Sequence, residues 1–149
     1  MMNRKTFLKA TAATVAAASL APIVTLLEGC SSSAPVLQAK VSDNKAIVPL
    51  DHLAMLASPN SHAKIYVNQN ANPIILFAGE NGEMRAVLST CSHSGCEVTK
   101  LRTTFECPCH GSEYDLQGNV LRGPAPEPLE VFQVEKVAGR LEISLKGRL

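Results

Sequence analysis

Two short boxes constrain this chain more than any other part of it: Cys91-Ser92-His93-Ser94-Gly95-Cys96 and Cys107-Pro108-Cys109-His110-Gly111-Ser112. They place four cysteines and two histidines within residues 91–110. Each box carries Cys before His, and each has a second Cys that needs its own explanation. Two Cys and two His on separate loops are one known ligand set for an iron–sulfur cluster. Zinc also takes tetrahedral Cys and His ligands, although usually at C-x-x-C or longer spacings rather than as C-x-H paired with C-P-C-H-G-S. A pure disulfide framework is a further alternative, but it leaves both histidines without a role.

The boxes resemble those of Rieske proteins, in particular the high-potential type with an additional cysteine in each box. The resemblance implies that Cys91 and Cys107 hold the inner iron of a 2Fe-2S cluster as thiolates. It implies that His93 and His110 hold the outer iron through one ring nitrogen each. Cys96 and Cys109 match a disulfide that clamps the two loops, and Gly95 and Gly111 match glycines that let the backbone turn close to the cluster. Ser112 and Tyr114 match hydroxyl groups that donate hydrogen bonds to a bridging sulfide and a ligand sulfur. Gly123-Pro124-Ala125-Pro126 matches a loop covering the cluster's third side. The resemblance spans about residues 46–145, and its specificity sits in residues 91–126. Three departures stand out. Only 13 residues separate His93 from Cys107, a short insert for this family. Ser94 stands where quinol-oxidising members usually carry Leu. The long segment that such members often place between anchor and head is lacking.

The ligand types have a physical consequence. Replacing two thiolates of an all-Cys site by neutral imidazoles removes two negative charges beside the metal, so an electron is added more easily. Such centres lie at about −150 to +300 mV, against about −400 mV for plant-type ferredoxins. Hydrogen bonds from Ser112 and Tyr114 draw negative charge off sulfur and point to the upper half of that range. Oxidised iron also makes an attached imidazole N–H more acidic, so His93 and His110 would take up an electron and a proton together. His52 and His62 lie outside the boxes and read as surface or strand-edge residues.

With two of the five cysteines on iron and two in a disulfide, Cys30 is left over, at the end of an N-terminal leader. Arg4, Lys5 and Lys9 precede residues 10–27, which carry no charge. This is the layout of an export signal. Arg4-Lys5-Thr6-Phe7-Leu8-Lys9 resembles a twin-arginine signal with Lys for the second Arg, a route that suits a domain exported with its cofactor already inserted. Leu27, Gly29 and Cys30 resemble a bacterial lipobox, with Cys30 the lipidated residue, although Glu28 fits poorly. The alternatives are an uncleaved N-terminal membrane helix, at the lower end of the roughly 17–25 residues needed to span, or a soluble product of cleavage. Either anchor puts the head on the periplasmic side of a bacterial membrane, and a Cys96–Cys109 disulfide agrees with an oxidising location.

The leader takes three of the 14 basic and one of the 13 acidic residues, which leaves 11 and 12, a net charge of −1 from Cys30 onward. No basic patch suggests nucleic acid. Residues 1–29 read as the export signal, 30–45 as a flexible tether, and 46–149 as one domain, with its cluster-binding part at about 90–126. Within that domain, Ala46–Leu50, Ala63–Val67, Pro73–Ala78, Met84–Leu88 and Thr104–Glu106 read as strands. Leu53–Ala57 reads as one helical turn. Asn81-Gly82 is the strongest turn signal and makes a hairpin, and Gln117-Gly118-Asn119 makes another turn. Val131–Val134 and Leu141–Leu145 read as a last hairpin around Ala138-Gly139. The expectation is an all-β fold: a Rieske-type antiparallel β-sandwich with a cluster-binding subdomain formed by two loops at its tip.

The function this implies is single-electron transfer outside the cytoplasm. One reading is the iron–sulfur subunit of a quinol–cytochrome c reductase type complex, with cytochrome b, cytochrome c and quinol as partners. The alternatives are a small subunit passing electrons from a molybdenum subunit, as in arsenite-oxidase-like enzymes, or a stand-alone carrier. A ferredoxin serving a Rieske oxygenase is disfavoured, because those usually lack Cys96 and Cys109 equivalents and work in the cytoplasm.

Overall fold

A computed structural model describes residues 34–58, 60–69 and 71–145. The leader and Cys30 lie outside these residues. Three sheets build the domain. The central one has five strands in the order β1 (Val36–Gln38), β4 (His62–Tyr66), β5 (Ile74–Ala78), β6 (Met84–Leu88) and β11 (Val131–Phe132). A second contains β12 (Val134–Val137), β13 (Arg140–Ser144), β3 (Lys45–Pro49) and β2 (Lys40–Ser42), in that order. The third runs β10 (Val120–Arg122), β9 (Glu113–Asp115), β8 (Thr104–Glu106) and β7 (Thr99–Lys100). Pairing is antiparallel except between β1 and β4. A 3-10 helix at Leu50–Leu56 follows β3, where the sequence suggested a single turn.

β5 explains how the layers stack. Its sequence, Ile-Ile-Leu-Phe-Ala, has no polar residue, and its first four side chains are buried. A strand with both faces covered reads as a continuous apolar run rather than an alternation. Successive side chains point to opposite faces, so Ile74 and Leu76 join one core while Ile75 and Phe77 join another. The first core packs against Ala46, Val48, Leu141 and Ile143 of the second sheet. The other contains Cys91, Cys107, Phe105 and Tyr114, so the ligand boxes are built onto the far face of the central sheet. Phe77 and Phe105 meet edge to face, with ring centroids 5.6 Å apart. The all-β expectation therefore holds, with the cluster subdomain as a third layer.

Two sequence expectations change. Residues 36–42, expected within the tether, form β1 and β2, which pair with β4 and β3. Their short, mostly exposed strands lack the apolar alternation that marks a strand in sequence, because edge strands gain their pairing from neighbours. The segment expected as one strand at Val131–Val134 divides. β11 pairs with β6 in the central sheet, and β12 pairs with β13 in the second. The final hairpin therefore joins β12 to β13, with Val137 opposite Arg140 around Ala138-Gly139.

Both turn signals are realised. Ala78 pairs with Met84 across the turn holding Asn81-Gly82, and Gly82 has a φ of +76°. In the second turn, Asp115 Oδ1 accepts the backbone N–H groups of Gln117 and Asn119, each at 2.8 Å. Gly118 has a φ of +90°, and a Cβ there would meet Leu129 O at 3.1 Å, whereas a Cβ at Gly82 would meet nothing within 4 Å. Gly82→Ala is expected to cost about 1–2 kcal/mol, the backbone penalty alone. Gly118→Ala should cost more, up to about 3 kcal/mol, because the backbone penalty and the close contact add. Denaturant unfolding of the two variants checks the order, and equal losses would show that Leu129 yields freely.

Candidate metal centre

The two boxes form the same loop twice. Cys91 N–H donates to Cys96 O at 2.9 Å and Gly95 N–H donates to Cys91 O at 2.8 Å. Sixteen residues on, Cys107 N–H donates to Ser112 O at 2.8 Å and Gly111 N–H to Cys107 O at 2.9 Å. Each closure needs a left-handed residue, and Gly95 and Gly111 supply it at φ +74° and +72°. β8 runs directly into the second loop, and β6 reaches the first through Ser89 and Thr90, where Thr90 bridges to Glu97. Cys91 and Cys107 are buried to 1% exposure and carry free thiols. His93 and His110 lie on the exposed side of the loops, their ring centroids 4.7 Å apart and nearly perpendicular.

Cys96 and Cys109 are joined by a disulfide, one cysteine from each box. Cys107 Sγ lies within 4.8 Å of both of its sulfurs. Disulfide sulfurs carry no thiolate charge, so that trio is a free thiol beside a clamp rather than a three-sulfur metal site. A third segment closes the arrangement. Ala125 N–H donates to Ser112 Oγ at 3.0 Å, while the Ser92 hydroxyl donates to Glu127 O at 2.7 Å and accepts Glu127 N–H at 3.2 Å. The Gly123–Pro126 loop is thus tied to both boxes, with Ala125 buried against the two thiols' cluster and Pro124 and Pro126 exposed.

Tyr114 Oη donates to Cys91 Sγ at 3.2 Å. Burial pushes the Cys91 thiol up, but hydrogen bonds from Tyr114, the His93 N–H, the Cys107 thiol and the Ser112 hydroxyl together hold it below its ordinary value. Burial and that same bond to Cys91 push the Tyr114 hydroxyl up, so it stays a donor. The site therefore favours the form of Cys91 that binds metal.

The structure also shows three supports that the sequence reading missed. Asn72 donates its amide to Gly95 O at 2.8 Å and to Thr90 Oγ1 at 3.2 Å. Arg122 donates to Gly111 O at 3.2 Å and pairs with Glu113 at 2.6 Å. Ser92 is the third. Nothing in a residue type distinguishes an Asn far upstream that reaches one carbonyl, so no sequence signal was present for Asn72.

A profile of the Rieske [2Fe-2S] domain matches residues 47–133. The chain belongs to the Rieske family. It is 30% identical over 133 residues to the cytochrome b6-f complex iron-sulfur subunit 2 of Nostoc, covering 87% of this chain and 75% of that one. It is 30% identical to the cytochrome b6-f complex iron-sulfur subunit of Chlorobaculum tepidum, covering 89% and 68%. Among solved structures, the plasma membrane Rieske protein PetC3 from Synechocystis superposes with a TM-score of 0.50 at 27% identity, over 64% of this chain and 94% of that one. A quaternary ammonium Rieske monooxygenase superposes at 0.57 and 22% identity, over 71% and 34%, and shows the fold alone.

The Rieske cofactor is a 2Fe-2S cluster, and the residues present fit it. Two buried thiols lie outside the disulfide, two imidazoles stand side by side on the open face, and a phenol already donates to one thiol. The clamp generates a prediction. Replacing both Cys96 and Cys109 by Ser should lower stability by up to about 3 kcal/mol, the loop-entropy value for a bridge of this span. The variant should also lose the cluster's visible absorption at a lower temperature than wild type. An unchanged loss temperature would show that the backbone loops hold the boxes without the bridge.

Proposed function

We propose that this chain is a membrane-anchored, extracytoplasmic carrier of single electrons, the iron–sulfur subunit of a quinol-oxidising cytochrome complex. The observation that carries the reading is the pair of exposed imidazoles, 4.7 Å apart, above two buried thiols. Similarity to cytochrome b6-f subunits over most of the chain supports the complex. The Cys96–Cys109 disulfide supports an oxidising compartment. The leader, with a lipidated Cys30 or an uncleaved helix, supports the anchor. Among the described residues no helix is long and apolar enough to cross a membrane.

In this reading Cys91 and Cys107 would hold one iron of the cluster as thiolates, and His93 and His110 would hold the other through a ring nitrogen each. When bound, the cluster supplies a one-electron redox couple. The protein's part is electrostatic. Tyr114 and Ser112 place hydroxyl protons against sulfur, which favours the reduced state. Ser112 is aligned for this because its oxygen already accepts Ala125 N–H. His93 and His110 are exposed, so with the cluster bound their free ring nitrogens would be the atoms at which a proton could accompany the electron. Ser94 Oγ lies 3.2 Å from His93 Nδ1, so the residue that departs from the usual Leu puts a polar group at the docking face. That weakens apolar docking to a quinol site.

Three outcomes are expected. Tyr114→Phe should keep the cluster and lower its midpoint potential, since one hydrogen bond to Cys91 is lost. An unchanged potential would remove Tyr114 from this role. Protein-film voltammetry from acid to alkaline pH should give a potential that is flat at low pH and then falls, with a limiting slope of about −59 mV per pH unit for one proton per electron. A potential independent of pH would mean that no imidazole proton follows the electron. In membranes, quinol should reduce the cluster, and Ser94→Leu should speed that reduction. Absence of quinol-dependent reduction, with reduction by a molybdenum subunit instead, would favour the alternative partner.

A further inference from the structure

At the end of the central sheet opposite the boxes, one buried charge lacks a counter-ion. Alternation along Thr99, Lys100 and Leu101 runs the wrong way for a strand packed on a core. Lys100 is 7% exposed and Leu101 is 44% exposed. The Lys100 stem lies across the ring of Phe77, with Nζ 5.1 Å from the ring centroid, and Nζ donates to Leu101 O at 3.0 Å. An ammonium has three donors, and this is the one hydrogen bond of Nζ among the described residues. No ion pair among the described residues engages it. Glu142, the other buried charge among the described residues, shows the contrast. It is 8% exposed and held by Lys45 and Arg140, each at 2.7 Å. A buried charge without a partner is costly and is found where it has a use.

Lys100 lines a cleft of about 460 Å³ together with Arg102, Thr103, Ser58, Ser61 and Glu80. Arg102 and Thr103 sit in the turn between β7 and β8, closed by Leu101 N–H on Thr104 O at 2.8 Å. Two further basic side chains lie nearby, neither of which adds a free positive charge. His62 pairs across the sheet with Phe77, and Lys64 follows it, although Lys64 is engaged with Glu97 at 2.7 Å. The His62 imidazole is held below its usual range by burial, then by Lys100 and Lys64, and burial lowers Lys100 itself. Among the described residues that line the cleft, Glu80 is the one acidic side chain.

We propose that Lys100 and Arg102 form a binding site for a phosphate-class oxyanion in this cleft. The ammonium supplies a partly desolvated point charge, the guanidinium a planar fork of donors, and the neighbouring hydroxyls neutral donors, a combination that suits phosphate oxygens. The oxyanion has two possible sources, free phosphate or the headgroup of an anionic phospholipid. Geometry gives the second a place. Pro35 O accepts Lys64 N–H at 2.9 Å, and β1 runs parallel to β4 from there, so the chain enters the domain at the same end as the cleft. The site is independent of the cluster reading, since none of its residues touches the boxes.

The test uses the full-length, cluster-loaded chain in detergent. The probes are inorganic phosphate and dihexanoyl phosphatidylglycerol below its micelle concentration, with sodium chloride at matched ionic strength as control. A ligand that engages the folded chain raises Tm with concentration. Phosphate is expected to raise the wild-type Tm beyond chloride and to leave Lys100→Met no more responsive than to chloride. That substitution keeps an apolar stem over Phe77 and removes the charge, so without phosphate its Tm should equal or exceed wild type. Arg102→Gln should weaken phosphate binding severalfold, and it carries the test if Lys100→Met fails to fold. Binding of the lipid roughly tenfold or more tighter than phosphate assigns the headgroup as the source. Equal or weaker lipid binding assigns free phosphate, and both results support the site. A wild-type response to both probes no larger than to chloride overturns it. So does a phosphate response of wild-type size in folded Lys100→Met or Arg102→Gln.

Discussion

Two thiols that would carry negative charge as metal ligands are buried in an apolar core, and the rest of the site is arranged around that conflict. Cys91 and Cys107 are each 1% exposed, among Ile75, Phe77, Val87 and Phe105. Burial alone would keep the Cys91 thiol protonated. Hydrogen bonds from Tyr114, the loop backbone and Ser112 reverse that for Cys91. A metal would complete the compensation, since binding deprotonates a coordinating thiol outright. The same burial keeps water from the sulfurs while the imidazoles reach solvent, so the site has a dry side of thiols and a wet side of imidazoles.

Holding that arrangement requires several tethers because the boxes are loops. β8 runs into one and β6 reaches the other through Ser89 and Thr90, backbone closures fix the turns, the disulfide joins them, and Ser92 and Ser112 hold the covering loop. Asn72 and Arg122 brace one carbonyl in each box, Gly95 O and Gly111 O. The two braces fall on matching glycines, so the duplicated loop is supported in a duplicated way. Rigid support of this kind limits reorganisation when charge changes, which is what an electron carrier needs from its protein.

How much of this is legible in the sequence depends on the kind of interaction. The boxes could be read because metal ligation and disulfide formation demand particular residue types at particular offsets. β3, β5 and β6 could be read because their five-residue, largely apolar or β-branched sequences carry their own burial. β1, β2, β7 and β10 could not, since each is two or three residues long and owes its pairing to a neighbour rather than to its own pattern. The split of Val131–Val134 between two sheets was invisible for the same reason. A strand pattern shows that residues are extended, not which partner they find. Lys100 is the opposite case. Its polar letter predicts exposure, and only the packing on Phe77 reveals that it is buried.

The central claim is that imidazoles of His93 and His110 and thiolates of Cys91 and Cys107 share one 2Fe-2S cluster. Pulsed EPR of the reduced full-length protein tests it most directly, because directly bound nitrogens couple to the unpaired electron. Strong coupling to two imidazole nitrogens is expected, with loss of the cluster in His93→Ala and in His110→Ala. A reduced cluster with no strongly coupled nitrogen, or purified protein holding zinc in place of iron, would contradict it.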